Sequence, residues 1–351
     1  MKNSLNIKKY LAKQESKISE AIKILQKNPI KIVIIICNQG KLLGTITDGD
    51  IRRGLLNGYT LDDKCSCIMN KRPNFAYVGD LNNINKILIK KQLVPVIVDK
   101  NKVVISIDHN DTYTSKIIKT NKVVIMAGGK GKRLMPLTQN TPKPLLTIND
   151  KPIVEYTIEA FIKNGFEDII LSVGYKSEKL INYFNSNKLL SKYITYINED
   201  KPLDTAGSLS LISKKELKEP VIVKNGDIIT NVNYDELLKF HNNHNKPITI
   251  CASEYKISIP FGSINSKDGV ISEIIEKPTI KHHINAGIYV INPEIIKNMK
   301  KNIAISMVEL LDNYISEGNV IAYPLYESWI DIGSPEDFKK AQMNTMYDYD
   351  K

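Results

Sequence analysis

Apolar residues recur along this chain in two rhythms, and the switching between them divides it. Ser16 to Lys27 carries Ile18, Ala21, Ile22 and Leu25 at three- and four-residue spacing, which is one face of a helix. An unbroken apolar run, Ile32 to Ile36, follows; then come Asn38-Gln39-Gly40, a turn composition, and a second strand. The same order returns downstream. Leu81 to Lys91 repeats the helix with Ile84, Ile87 and Leu88, Val94 to Val98 repeats the strand, and Asp99-Lys100-Asn101 repeats the turn. A period of about 60 residues makes 1–118 two copies of one unit, about 1–60 and 61–118. Asp111 to Asn121 is short and polar and reads as a linker, with 119–121 as its end.

From Lys122 onward strands alternate with helical spacings. Val123 to Met126 is a buried strand, Ile153 to Asn164 a helix behind Pro152, and Asp168 to Val173 the next strand, ending at Gly174. This alternation predicts an α/β domain over 122–345: a Rossmann-like, mostly parallel mixed sheet with helices on both faces. Ligands of such sheets gather at the carboxyl ends of the strands.

The first strand runs into a loop suited to that place: Ala127-Gly128-Gly129-Lys130-Gly131-Lys132-Arg133-Leu134, continuing to Thr141-Pro142-Lys143-Pro144. Glycines let several amide N–H groups point into one concavity, and Arg133 and Lys143 add fixed positive charge beside it. A glycine cluster alone serves equally as a tight turn. The loop is neither a P-loop, which needs Lys-Ser or Lys-Thr, nor the dinucleotide G-x-G-x-x-G pattern. The order G-G-x-G-x-R, followed ten residues later by Pro-Lys-Pro, is more specific, and it resembles the signature of sugar-1-phosphate nucleotidyltransferases.

Later motifs extend that resemblance over about residues 122–345. Glu199-Asp200-Lys201-Pro202-Leu203-Asp204-Thr205-Ala206-Gly207 resembles the family's base-binding segment, commonly L-G-T-A-G, with Asp204 in place of the first glycine. Glu199 stands where thymidylyl and uridylyl relatives tend to carry glutamine. A carboxylate only accepts, which suits the paired donors of guanine, so GTP is favoured over a solvent-facing role for Glu199. Asp227, after Asn225-Gly226, and Asp331, in Trp329-Ile330-Asp331, each close an apolar run. A lone Asp beside a turn is usually a cap, but two in a chain with a triphosphate cradle suggest a shared Mg²⁺ site, and the resemblance assigns the metal to these two positions. Glu276-Lys277-Pro278 and Asn285-Ala286-Gly287 supply the sugar side: Lys277 against the sugar phosphate, Glu276, Asn285 and Gly287 around the ring. His282 and His283 read as loop residues, because magnesium prefers oxygen.

The resemblance implies a single in-line displacement in which the sugar-1-phosphate attacks the α-phosphorus of a nucleoside triphosphate and pyrophosphate leaves. Charge cancellation is then the main catalytic task. Arg133 is assigned to the leaving pyrophosphate, Lys143 to the α-phosphate and Lys277 to the nucleophile, while Ala127, Gly128, Gly129, Gly131, Thr205, Ala206 and Gly207 hold the nucleotide. The rival reading is a non-catalytic sensor of nucleotide sugars or adenine nucleotides. It expects the carboxylates or Lys143 to be missing, and all are present.

In the N-terminal repeat, Gly44-Thr45-Ile46-Thr47-Asp48-Gly49-Asp50-Ile51-Arg52-Arg53 resembles the CBS-domain pair, or Bateman module. Thr47 is suited to a phosphate oxygen and Asp50 to ribose hydroxyls of an adenine nucleotide. The second copy has Ile105 where Gly44 stands and Asp108 where Thr47 stands, so at most one nucleotide site is expected. A module that only dimerises or packs against the catalytic part stays open as the alternative. The two-part layout is similar to mannose-1-phosphate guanylyltransferase-like proteins of bacterial nonulosonate routes, including the glucosamine-1-phosphate guanylyltransferases of the legionaminic acid pathway.

Composition changes this picture little. The formal charge is +11, yet the lysines are spread along the chain, so no nucleic-acid partner is expected and a positive field toward phosphorylated substrates is. Cys37, Cys65, Cys67 and Cys251 are too few and scattered for a disulfide scaffold or a zinc site and read as reduced thiols. No apolar run is long enough for a membrane span, and Met1-Lys2-Asn3-Ser4 lacks the apolar core of a signal peptide, so a cytoplasmic protein without a membrane partner is expected. A homo-oligomer is the expected assembly.

Overall fold

The computed structural model describes residues 7–80, 95–107 and 118–343. The chain separates into two compact units, Met1–Ser115 and Lys116–Lys351. The helix expected at Leu81–Lys91, the start of the second repeat's strand at Val94, Asp108 and most of the expected linker lie outside the described residues.

The first unit carries the repeat in its strand plan. Strand β1 (Leu11–Lys13) lies parallel to β2 (Val33–Ile36), and β2 pairs antiparallel with β3 (Leu42–Ile46). Strands β4 (Phe75–Tyr77), β5 (Val96–Val98) and β6 (Val104–Ile107) repeat it, including the register shift near the end of the middle strand. The amphipathic helix Ile18–Lys27 buries Ile18, Ala21, Ile22 and Leu25, the face its spacing predicts. The two copies share one core, in which Tyr10, Ile32 and Ile34 pack with Val96, Val98 and Ile107.

In the second unit, β7 (Val123–Met126), β10 (Ile169–Val173), β11 (Ile194–Asn198), β12 (Val221–Asn225), β14 (Ile248–Ser258), β17 (Thr279–Ile291) and β18 (Val320–Leu325) form a seven-stranded sheet in the order β11-β10-β7-β12-β17-β14-β18. Only β17 runs against the others. Alternate residues feed two cores. Val123, Ile125 and Ile222 face helices Ile153–Lys163, Ser177–Ser186 and Tyr234–His244 on one side, and Val124, Val221 and Val223 face Leu209, Ile296, Leu310 and Leu311 on the other. Both faces being covered explains why these strands read as unbroken apolar runs rather than alternating ones.

Three smaller sheets complete the unit. The pair β8 (Thr147–Ile148) and β9 (Lys151–Pro152) precedes the first helix; β13 (Ile228–Thr230) pairs antiparallel with β19 (Trp329–Asp331); and β15 (Ser263–Lys267) with β16 (Val270–Ile275) forms an exposed hairpin between β14 and β17. Lys119 and Asn121 are anchored to this unit. The Lys119 amide donates to the Gly165 carbonyl at 2.9 Å and its ammonium pairs with Asp235 at 2.7 Å, while Asn121 donates to the Pro220 carbonyl at 2.8 Å. No helix among the described residues is long and apolar enough to cross a membrane, and all four cysteines are free thiols.

Candidate active site

The loop after β7 folds back on itself at Gly131, whose φ of +60° lies where a side chain is strained. A Cβ there would stand 2.9 Å from Thr138 Cγ2 and 3.0 Å from Lys143 Cβ, and the Thr138 hydroxyl donates to the Gly131 carbonyl at 2.9 Å. Lys176 and Lys179 pin the far side by donating to the carbonyls of Gln139 and Asn140. The result is a cavity of about 270 Å³ lined by Ala127, Gly129, Gly131, Arg133, Lys143 and Asp227, with Met126, Lys132, Leu134, Pro144, Gly226 and Gly333 between them. Six residues that the sequence singles out for nucleotide, phosphate or metal thus meet in one place.

Asp227 sits in the turn between β12 and β13, and Asp331 ends β19. The β13–β19 pairing sets Ile228 opposite Asp331 and lets the Ile332 amide donate to the Asp227 carbonyl at 3.0 Å, which makes the two carboxylates neighbours. Lys143, only 9% exposed, forms an ion pair with Asp227 Oδ2. Arg133 and Asp331 both stand close to Gly333: a Cβ there would lie 3.5 Å from Arg133 Nη1 and 3.6 Å from Asp331 Oδ2.

Burial, and then the Asp227 carboxylate, push the Asp331 carboxyl above its ordinary range, opposed by Lys143 and Arg133. Its Oδ1 is buried with no hydrogen-bond partner. Leaving a buried acceptor unpaired costs about 1–3 kcal/mol, so the position makes sense where a cation completes it. The donor set fits Mg²⁺, which takes one or two carboxylates plus phosphate oxygens and water. Among the described residues no group of three or more His, Cys, Asp or Glu side chains gathers to hold a metal without such help.

The other expected site residues lie outside this cavity. A Cβ on Gly128 would come within 3.0 Å of Glu199 Oε1 and 3.3 Å of the Gly174 amide, so this glycine admits the end of β10. Glu199 is half-buried and held by two donors: Ser172 Oγ to Oε1 at 2.8 Å and the Leu203 amide to Oε2 at 2.9 Å. Asp204 takes the left-handed conformation, φ +62°, that the family's glycine suits, and its side chain accepts from the Thr205 amide at 2.6 Å.

Thr205 accepts from the Met307 amide at 2.7 Å, at the start of the helix Met307–Ile315, and Ala206 and Gly207 donate to the Ile305 carbonyl. At Gly207 a Cβ would stand 2.6 Å from the Ile303 carbonyl. These three residues therefore fasten the segment to the chain around Ile305.

On the sugar side, Glu276 and Lys277 are exposed in the connection from β16 to β17, with Lys277 at φ +47°. Asn285 spends its amide on its own strand, accepting from the Gly287 N–H and donating to Tyr289 Oη, each at 2.9 Å. Gly287 lets β17 pass the Asn225 side chain, which a Cβ would meet at 2.6 Å. His282 and His283, expected in a loop, lie in β17 paired with Tyr255 and Glu254.

In the first unit Thr47 caps the helix Asp48–Leu56. Its N–H and hydroxyl both donate to Asp50 Oδ2, at 2.8 and 2.7 Å, and Asp50 Oδ1 pairs with Arg53. The polar atoms expected to meet a nucleotide are here engaged with one another. Arg52 is buried and pairs with Asp48 at 2.7 Å.

Sequence reasoning missed Lys132, which lines the cavity, and Lys224, which is 1% exposed. Lys132 is signalled by its place in the loop. The period of two that puts Lys224 on the same face of β12 as Ile222 carries the signal for the other.

Residues 122–347 match the nucleotidyl transferase family model and residues 9–57 a CBS domain. The chain belongs to the nucleotidyl transferase family, with a CBS domain at its N-terminal end. It is 33% identical over 224 residues to the mannose-1-phosphate guanylyltransferase catalytic subunit beta of Xenopus tropicalis and 34% identical over 224 residues to that of Danio rerio. The match covers 62% of this chain and 62% of each relative, so the chain spans less than two thirds of their length. Among solved structures it resembles HddC from Yersinia pseudotuberculosis (29% identity, TM-score 0.50, covering 64% of this chain and 98% of that one). The same protein complexed with GMP-PN gives 28% identity and a TM-score of 0.51, with 64% and 98% covered.

Proposed function

We propose that this protein is a sugar-1-phosphate nucleotidyltransferase that joins a nucleoside triphosphate, GTP by preference, to a sugar-1-phosphate and releases pyrophosphate. The observation that carries the reading is the convergence of Arg133, Lys143 and Asp227 on one glycine-walled cavity, with Asp331 set beside Asp227 by the β13–β19 pairing. The attacking phosphate is already an anion, so no general base is needed; the barrier is the approach of two negative groups. Arg133 and Lys132 hold the leaving pyrophosphate, Lys143 the α-phosphate, and Lys277 the sugar phosphate. A divalent cation, Mg²⁺, held by Asp227 and Asp331 would neutralise charge on the reacting phosphates.

Guanine is supported by Glu199, an acceptor fixed by Ser172 and Leu203, and by the guanylyltransferase names of the relatives. For the sugar, those names support mannose-1-phosphate. The resemblance of the two-part layout to legionaminic acid pathway enzymes supports glucosamine-1-phosphate and a role in bacterial nonulosonate or glycan supply in the cytoplasm. The CBS module is assigned adenine-nucleotide regulation at one site. Incubating the full chain with Mg²⁺ and each of GTP, UTP, CTP and dTTP, against a panel of hexose- and hexosamine-1-phosphates, tests the reading through pyrophosphate release. Fastest release with GTP and either of these two sugars is expected, and none with any pair overturns it. Adding AMP or ATP during turnover tests the module.

A further inference from the structure

Lys224 lies in the middle of the sheet, in register between Ile125 of β7 and Ile288 of β17, both fully buried. A lysine there is costly. Burial pulls its ammonium down to about 7 against the opposing attraction of Asp227. Replacing such a group by an apolar side chain of similar length is commonly neutral or stabilising. Packing therefore gives no reason for a lysine at this position.

Its hydrogen bonds give one. The Lys224 Nζ donates to the Ile228 carbonyl at 2.6 Å and to Thr157 Oγ1 at 2.7 Å, and the Thr157 hydroxyl itself donates to the same carbonyl at 3.3 Å. Residues 224 and 228 bracket the turn that carries Asp227. One end of this turn is held by the Gly226 amide on the Met126 carbonyl at 2.9 Å, and its middle by the Ile332 amide on the Asp227 carbonyl at 3.0 Å. Lys224 and Thr157 close the remaining side from beneath, tying the turn to the helix Ile153–Lys163.

We infer that Lys224 is a positioning residue for the cation site: with Thr157 it straps the Asn225–Ile228 turn so that the Asp227 carboxylate is held beside Asp331. The inference rests on reading these two carboxylates as the cation ligands. It also has a sign that separates it from a pure charge effect. Removing a nearby positive charge would, by Coulomb attraction alone, tighten cation binding; removing a strap loosens it.

The test uses the full chain and three variants, Lys224→Met, Thr157→Val and the double variant. Thr157→Val keeps the side-chain volume, so it decides the matter alone should Lys224→Met fail to fold. Mn²⁺ binding to the free protein is followed by electron paramagnetic resonance, the KM for Mg²⁺ by pyrophosphate release, and folding by thermal melts. The expected result is Mn²⁺ binding roughly tenfold weaker in each single variant. The KM for Mg²⁺ should rise in parallel, melting temperature should hold or rise in Lys224→Met, and the double variant should be no worse than the more affected single one. Unchanged or tighter Mn²⁺ binding, or weakening only in variants that melt well below the parent, overturns it. Absence of turnover in the parent protein would count against the proposed reaction, and the Mn²⁺ titration would still decide the role of Lys224.

Discussion

Lys143 and Asp227, 84 residues apart in sequence, form an ion pair beside the cavity that both line. One partner comes from a cradle loop and the other from the end of the central strand, so the pair marks where the two halves of the proposed chemistry meet. Lys143→Ala and Asp227→Asn should each lower turnover by about two orders of magnitude or more, as should Arg133→Ala, with far-UV circular dichroism unchanged. The double variant Lys143→Ala/Asp227→Asn should lose less than the sum of the single losses, because each partner's role depends on the other. Pyrophosphate release measures all four.

Chelation should abolish pyrophosphate release and added Mg²⁺ should restore it. The Asp331 carboxyl is pushed upward by burial, so a proton competes with the cation for it as pH falls. The KM for Mg²⁺ should therefore climb on acidification, and Asp331→Asn should remove that dependence together with most of the activity.

Lys224 gives stability its own slope with pH. Its folded value, about 7, lies below the ordinary 10.5, so between those two values the unfolded chain holds more protons and stability rises with pH. The contribution is at most about 1.4 kcal/mol per pH unit. Urea melts at pH 7 and pH 9 should show the parent gaining on Lys224→Met. A constant gap between them would mean that the buried amine does not titrate in this window.

At the proposed guanine contact, Glu199→Gln offers a donor where the base needs an acceptor and disturbs the bond from the Leu203 amide. The expected outcome is a fall in kcat/KM for GTP of roughly tenfold to a hundredfold, with a smaller change for UTP, in competition assays.

In the first unit, Asp50→Ala removes the carboxylate that accepts from the Thr47 N–H and hydroxyl at the start of the helix Asp48–Leu56. Amide exchange over 47–56 should speed up by about fivefold, the equivalent of about 1 kcal/mol, when followed by mass spectrometry on the full chain.

Much of this arrangement is legible in the sequence because it follows local rules. The apolar runs in β7 (Val123–Met126), β10 (Ile169–Val173) and the start of β12 (Val221–Asn225) are strands because helices cover both sides of their sheet. The cradle announces itself through Gly131, which occupies a left-handed position, and Lys143, whose flanking prolines fix it near the loop. What stays hidden depends on partners distant in sequence. Gly207 reads as a ligand contact, and the Ile303 carbonyl in the space its side chain would take is a second reason for glycine that the sequence does not show. Gly287 makes room for Asn225, and Thr205 is occupied by Met307. Lys224 looks like the polar end of a strand because composition cannot tell a charged residue facing water from one held under a turn.

The proposed cation site is split between a central strand and the last one described, with Asp227 following β12 and Asp331 closing β19. A chain broken off by proteolysis or stalled synthesis before Trp329 would keep its glycine loop and most of its sheet, yet it would hold only one of the two carboxylates. Under the proposed reaction such fragments would sequester nucleotide at best and would not consume it, so synthesis of product would wait for the full unit.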